Sequence, residues 1–450
     1  MQHKHEELGT ANINRLLVKL SLPSMIALFA NALYNIIDTI FVGRGVGPEG
    51  IAGVAIVLPV VAIISSFAHM VGTGTSSLIS RQLGRKETGN VNRTAGNGFL
   101  MIILISIFFS TLGLLFTDPI MLAFGSTSTI LPYASDYGSI IFIGMLWFPF
   151  CVSSSNYLRA EGNARQAMTA MLLGLGINVV LDYIFIFPLN MGIKGAALAT
   201  ITGKFATFVY LMRYFRGKDH VIQFSFPNLN LDPKILRPAI SVGISGFGMR
   251  SSSSVANVVL NHTLGALGGD MAIAAFGIIY KITLFFGMPL YGLNQGMQPI
   301  VGFNFGANLK KRIKRTIQMG FAYSVIYGIV ALTIFMGFAK PLFGLFTTDA
   351  ELLSMGPRAL RIVISMMWLM GITQATMGAH QAMGKPLAAF ILAVQRWLLL
   401  ITPMVIILPG LLGWGLDGVW IAFPLADLLG AIIAVSILMH TFRKHNIMKD

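Results

Sequence analysis

Ile177-Asn178-Val179-Val180-Leu181-Asp182-Tyr183-Ile184-Phe185-Ile186-Phe187 places a carboxylate in the middle of a long apolar run. Such a run reads as part of a bilayer helix, where an ionised Asp costs roughly 2.5–3.5 kcal/mol on insertion scales. Either a partner stabilises that charge or a function requires it. Asn178 precedes Asp182 by one helical turn, so both side chains leave the same helix face. A second acid of this kind, Asp38, sits in Tyr34-Asn35-Ile36-Ile37-Asp38-Thr39-Ile40-Phe41-Val42-Gly43. The two acids point to a membrane carrier built to hold them away from lipid and to load and unload them.

Composition agrees with that reading. Hydrophobic residues make up 55% of the chain and charged residues only 11%, against about 25% charged in a soluble domain. The polar segment 1–15 carries no short apolar stretch ending in a small-residue cleavage site, so no removable signal peptide is expected. A single cysteine, Cys151, excludes intramolecular disulfides and cysteine-based metal sites. The net charge of +15 fits basic cytoplasmic loops near anionic lipid headgroups better than a nucleic-acid partner.

A span needs about 20 apolar residues. Twelve are expected, at roughly 16–42, 51–79, 95–116, 130–158, 167–187, 193–214, 235–264, 271–303, 317–346, 352–383, 387–408 and 416–440. The even-numbered connections are basic: Arg81, Arg85, Lys86 and Arg93 in the second, Arg159 and Arg165 in the fourth, Arg216 and Lys218 in the sixth, Lys310 to Arg315 in the eighth. The odd-numbered connections are poor in base. The positive-inside rule therefore puts both termini and the even connections in the cytoplasm, and the expected location is the cell (inner) membrane.

The chain also repeats. Leu83-Gly84 followed by Arg93-Thr94 recurs as Phe305-Gly306 followed by Arg315-Thr316, and Ala160-Glu161-Gly162-Asn163 as Ala382-Met383-Gly384-Lys385, both 222 residues later. Gly192-Ile193-Lys194-Gly195 recurs as Gly415-Leu416-Asp417-Gly418, 223 residues later. Six spans separate the copies. An even number preserves orientation, so the repeats are parallel. The expected architecture is all-α, with twelve transmembrane helices in two parallel six-helix lobes around a central cavity. The N-lobe takes 1–215, a cytoplasmic linker 216–238 and the C-lobe 239–450.

No Gly-x-x-x-x-Gly-Lys-Ser/Thr loop for ATP phosphates occurs, and no His-Glu-x-x-His. An ion gradient is then the economical energy source. No nucleophile–base or metal constellation suggests an enzyme, and no cofactor is implied.

Polar residues at helical spacing supply the candidate sites. The cation set is Asp38, Asn178, Asp182 and Thr200, whose oxygens suit a proton or Na⁺. Na⁺ is possible at Asp38, Asn178 and Asp182, and the residues do not distinguish it from H⁺. Competing readings are an Asp182–Lys204 pair, capping by Asp38, and plain helix–helix hydrogen bonding by Asn178 and Thr200. Asn31, Tyr34 and Asn35 continue the first helix's polar stripe. In the second half Arg250, Ser254, Asn257 and Asn261 share a stripe, and Tyr291, Gln295 and Gln298 share a face. Asn31, Tyr34, Asn35, Asn257, Tyr291 and Gln295 are the candidate substrate-cavity residues. Arg250 either pairs with a backbone carbonyl or Asp427 or serves a substrate, and Lys281 and Arg396 are further embedded charges. The 25 Met and 32 Phe suit an adaptable, cation-tolerant cavity, though most of them must serve ordinary packing.

Taken in order, Leu22-Pro23 with Tyr34 to Gly43, Ser80 to Arg85, Leu158 to Asn163, Asn178 to Asp182, Gly195 to Thr200 and Gln295 to Gly306 resemble the multidrug and toxic compound extrusion (MATE) family, in its DinF-like and MepA-like branches. The resemblance covers nearly the whole chain. It implies a secondary antiporter, monomeric, that exports small organic cations or amphipathic drugs against H⁺ or Na⁺ entry. It also implies that the family's cation-site residues fall on Asp38, Asn178, Asp182 and Thr200. Gln295 departs from relatives with an acid in the eighth span. A lipid-linked oligosaccharide flippase of the same superfamily is the alternative, supported by Arg250, Lys281 and Arg396.

Overall fold

A computed structural model describes residues 5–217, 220–411 and 413–447. Lys218, the ends of both expected lobes and part of the expected linker lie outside the described residues. All regular structure among the described residues is helical. Ten helices are long and apolar enough to cross a membrane, and a bent pair, Leu131–Gly144 with Phe148–Ala160, makes an eleventh span. The 74-residue helix Pro233–Gly306 is broken at Gly269, where φ is 63° and ψ −160°. Divided there, it supplies the seventh and eighth spans and brings the number to twelve.

Where the spans depart from straight helices, local chemistry explains it. The fourth bends by 47° just before Pro149, whose ring nitrogen cannot donate to the helical ladder. The ninth helix starts at Lys310, so the basic run Lys310 to Arg315 forms its first turns rather than a loop. The eleventh contains a π-helical stretch, Gln395–Ile401, between Pro386–Val394 and Thr402–Leu411.

Backbone conformation repeats with the sequence. Positive φ occurs at Gly47 and Gly269, Lys86 and Asn308, and Gly162 and Gly384, all 222 apart, and at Asn190 and Gly413, and Gly192 and Gly415, 223 apart. These residues end or join helices, so both halves turn at equivalent places. Packing repeats too, with an exchange. A Cβ on Gly72 would lie 2.7 Å from the Asn156 amide, and one on Gly378 would lie 1.6 Å from the Asn294 amide oxygen. Asn294 occupies the repeat position of Gly72, and Gly378 that of Asn156. The same niche is filled by one Asn and one Gly, on opposite helices in the two halves.

The chain divides into two compact units: Met1–Thr10 with Leu22–Gly243, and Ala11–Ser21 with Ile244–Asp450. The first helix, Ile13–Gly45, begins in the second unit and enters the first at Leu22, one residue before Pro23. The first unit has a core around Val57, Ile64, Met121 and Phe142, and the second one around Phe276, Phe286, Phe343 and Trp420.

The described part of 216–238 is tied to the first unit. Phe224 packs on Phe99, with ring centroids 5.4 Å apart, and Phe99 also meets Phe150, Tyr157 and Phe215. Asn92 and Asn97 accept from the backbone N–H groups of Gln223 and Asp232. Glu161, 3% exposed, accepts from the N–H of Ile222 at 2.5 Å and from the Tyr214 hydroxyl at 3.2 Å. Burial pushes the Glu161 carboxyl up to about 7, with the Ile222 N–H and the Tyr214 hydroxyl opposing.

Two predictions follow from this packing. A Cβ on Gly74 would lie 1.9 Å from the Ala239 carbonyl oxygen, whereas one on Gly176 meets nothing. Gly74→Ala is expected to destabilise the detergent-solubilised protein by about 1–3 kcal/mol, and Gly176→Ala to leave it unchanged or slightly more stable; equal thermal midpoints would refute the close approach. Glu161 holds its proton more tightly folded than unfolded, so its contribution is full in acid, below the ordinary carboxyl value, and fades as pH rises through about 7. Hydrogen-exchange protection of the Ile222 amide, corrected for intrinsic rate, should therefore fall between pH 6 and 8 in the wild type and stay flat in Glu161→Gln.

Candidate functional site

Close packing in the first unit builds the site. A Cβ on Gly203 would lie 2.5 Å from the Gly174 carbonyl oxygen, and one on Gly174 would lie 2.7 Å from the Gly203 carbonyl oxygen. The helices Ala164–Ile186 and Gly192–Arg216 therefore run backbone against backbone, as small residues permit in membranes. Gly174 lies one turn before Asn178 and Gly203 about one turn after Thr200, so the close approach brings those polar side chains alongside. At Gly45 the first helix presses on Ile186, whose side chain a Cβ would meet at 2.1 Å. That contact draws the first helix against the fifth span near Asp38 and Asp182.

Both acids are enclosed. Asp182 is fully buried, Asn178 is 3% exposed and Asp38 7%, so none faces acyl chains. The two carboxyls lie close enough to act electrostatically on each other. Ionised, neither has a hydrogen to give: both Asp182 oxygens, one Asp38 oxygen and both polar atoms of Asn178 are buried without a hydrogen-bond partner. Close by, the Tyr34 and Thr200 hydroxyls are 3.4 Å apart, and Tyr137 acts electrostatically on both acids.

The structure thus brings together Asp38, Asn178, Asp182 and Thr200, with Tyr34 beside them. Tyr34, expected in a substrate cavity, is 9% exposed and part of this cluster. Tyr137, from the helix Leu131–Gly144, is an addition. In the sequence it is one tyrosine in an apolar run, with nothing to separate it from core packing. Asn35 is exposed and offers only its carbonyl, to Thr39; Asn31 is half-buried, and its side chain makes no hydrogen bond among the described residues. Lys204 is not the partner of Asp182: its ammonium lies over the Phe148 ring, 5.5 Å from the centroid, and it has no carboxylate partner among the described residues.

Asn257, Tyr291 and Gln295 are half-buried in the second unit. There the expected pairing of Arg250 with Asp427 is replaced. Asp427 takes Arg396 instead, through Nε at 2.6 Å and Nη2 at 3.3 Å. The π-helical stretch carries Arg396 and allows this two-pronged approach. Gln298 bonds Gln381 and Asn294, inside the unit rather than toward a ligand.

Chemically, the first-unit cluster offers two carboxylates, an amide and three hydroxyls. Oxygen donors of this kind suit a proton or a hard cation such as Na⁺. With only oxygen donors and an amide, and no His or Cys, the set does not suit a soft transition metal.

Comparison with known proteins places this geometry. The MatE family profile matches residues 23–184 and 248–407. The chain is 27% identical over 428 residues to the multidrug export protein MepA of Staphylococcus haemolyticus strain JCSC1435, covering 95% of this chain and 94% of that one. It is 28% identical over 419 residues to the protein of the same name from Staphylococcus aureus strain MSSA476, covering 93% and 92%. A crystal structure of a MATE in the bent conformation superposes with a TM-score of 0.92 at 26% identity, covering 99% of this chain and 98% of that one.

Two buried carboxylates this near repel unless a proton or a small cation lies between them. At pH 9 without Na⁺, Asp38→Asn or Asp182→Asn alone should raise the thermal midpoint in detergent by a few degrees. The second substitution should add less than the first. Full additivity would show that the acids do not interact.

Proposed function

This chain belongs to the MatE family, and we propose that it is a secondary active antiporter that exports organic cations or amphipathic drugs, coupled to entry of H⁺ or Na⁺ through its first-unit acids. The observation that carries the reading is the burial of Asp38 and Asp182, near enough to act electrostatically on each other, in an oxygen-rich cluster. The multidrug export named for the Staphylococcus relatives supports the substrate class.

In this reading the pair opens outward and takes a proton or Na⁺, with Asn178, Thr200, Tyr34 and Tyr137 completing the coordination or the hydrogen bonds. Relieving the repulsion lets the acids close on each other. The first helix repacks beside the fifth span, with Pro23 as the weak point of its ladder. Substrate leaves outward, the protein turns inward, the ion departs and new substrate binds. Each unit charge moving inward gains about 2.3 kcal/mol per 100 mV, enough for more than tenfold accumulation per charge. The protein works as a monomer in the cell (inner) membrane, with both termini cytoplasmic. Flipping of a lipid-linked oligosaccharide would give the acid pair no task.

Purified protein in liposomes, with pH and Na⁺ gradients imposed separately, tests this and identifies the ion. Asp182→Asn should abolish gradient-driven uptake of an ethidium-type cation while the protein elutes as a folded monodisperse species. Wild-type transport by that variant would refute the assignment.

A further inference from the structure

The fifth-span helix Ala164–Ile186 carries an apolar groove on its exposed side. Leu172, Leu173, Gly176, Ile177, Val180 and Leu181 line it, and its volume is about 470 Å³. Gly176 is its floor: a Cβ there would meet no atom of the described residues within 4 Å. Leu173 and Val180 are exposed along it. A site for a soluble ligand sets a few polar groups among its apolar walls; here every wall is apolar. On a membrane-spanning helix such a face is covered by an acyl chain or by another helix.

One end of the groove is basic. The helix is paired in register with Gly192–Arg216: Gly174 lies against Gly203, the Ala170 carbonyl accepts from the Thr207 hydroxyl at 3.2 Å, Gln166 accepts from Tyr210, and Asn163 donates to Tyr214 at 2.6 Å. That register sets Arg213 level with Arg165, at the start of the fifth-span helix. Counting about 100° per residue from the Gly174–Gly203 contact, Arg213 falls on the flank that carries the groove, and Arg165 on the outer face beside it. Both arginines are exposed, and neither has a carboxylate partner among the described residues. Glu161, an acid near that end, is buried and accepts from Ile222 and Tyr214 instead. At about 1.5 Å per residue the groove begins about 10 Å beyond Arg165 and runs for about 14 Å. One leaflet's hydrocarbon is about 15 Å deep.

We propose that the fifth and sixth helices hold one anionic phospholipid, with its phosphate between Arg165 and Arg213 and one acyl chain along the groove from Leu172 to Leu181. The arginines supply charge-assisted hydrogen bonds to phosphate oxygens, and the groove supplies the apolar contact. A second copy of the chain fits the groove less well. In a dimer about an axis along the membrane normal the same arginines face each other at one level, and like charges repel. The site lies on the outer side of the pair whose inner faces carry Asn178, Asp182 and Thr200, and it does not depend on the export reading.

Native mass spectrometry of the full-length protein tests this, with phosphatidylglycerol or phosphatidylcholine of the same chains added to the detergent. Wild type should retain one phosphatidylglycerol about tenfold or more tightly than phosphatidylcholine, and Arg165→Gln and Arg213→Gln should each lower that preference about fivefold. Gly176→Leu fills the groove and leaves the arginines in place, so it should weaken retention of both lipids by a similar factor. Thermal midpoints in phosphatidylcholine report whether each variant is folded; the exposed arginine variants carry the test alone if Gly176→Leu is not. Equal retention of the two lipids by wild type would overturn the proposal. So would an unchanged preference in the double arginine variant, or retention at the wild-type level by folded Gly176→Leu. A dimer in place of the lipid adduct, lost in Gly176→Leu, would give the groove to a second copy and overturn it as well.

Discussion

Asp38 and Asp182 are taken out of water and out of lipid and set near each other, and most of the first unit's construction serves that proximity. Two like charges in a medium of low polarizability cannot be left as neighbours without compensation. Among the described residues no base is supplied: Lys204 lies on the same helix face as Thr200, one turn away, yet turns to the Phe148 ring. What surrounds the acids instead is an amide and hydroxyls, groups that orient a proton or ligate a cation but do not neutralise charge permanently. A lysine or arginine in their place would make a stable pair with nothing to exchange. In the proposed function, that omission is what separates these acids from purely structural ones.

The second unit shows the contrast within the same chain. Asp427 has a two-pronged guanidinium partner, and that acid is spent. Equivalent scaffolds, down to the positive-φ residues that end their helices, therefore carry different electrostatics. Duplication fixes where helices start, stop and approach; substitutions inside the duplicated frame decide how each half's buried charges are paired. The Asn–Gly exchange at Gly72/Asn156 and Asn294/Gly378 shows how freely such substitutions swap sides while the packing volume is conserved.

Glycine is what lets polar side chains meet in this setting. Between apolar helices in lipid there is no strong hydrophobic drive, so close packing and hydrogen bonds hold the bundle. Gly174 and Gly203 bring two backbones together and shorten the distance between Asn178, Asp182 and Thr200. The segment that leaves the sixth helix uses another device: Asn92, Asn97 and Glu161 accept its backbone N–H groups, so a stretch that looks like a flexible connection is held to the first unit.

Hydropathy determined the membrane class and the twelve spans, because a bilayer imposes length and apolarity on each helix independently of the others, and recurring motifs 222–223 residues apart determined the repeat. Helical spacing likewise joined Asn178 to Asp182, since those residues share one helix. Contacts between helices were beyond it. That Asp38 comes near Asp182, that Tyr137 joins them, that Lys204 turns aside and that Arg396 rather than Arg250 takes Asp427 all depend on the rotation and separation of neighbouring helices. Glycine approaches, the break before Pro149 and the π-helical stretch at Gln395 set those rotations, and a shift of one residue in any helix turns a side chain by about 100°.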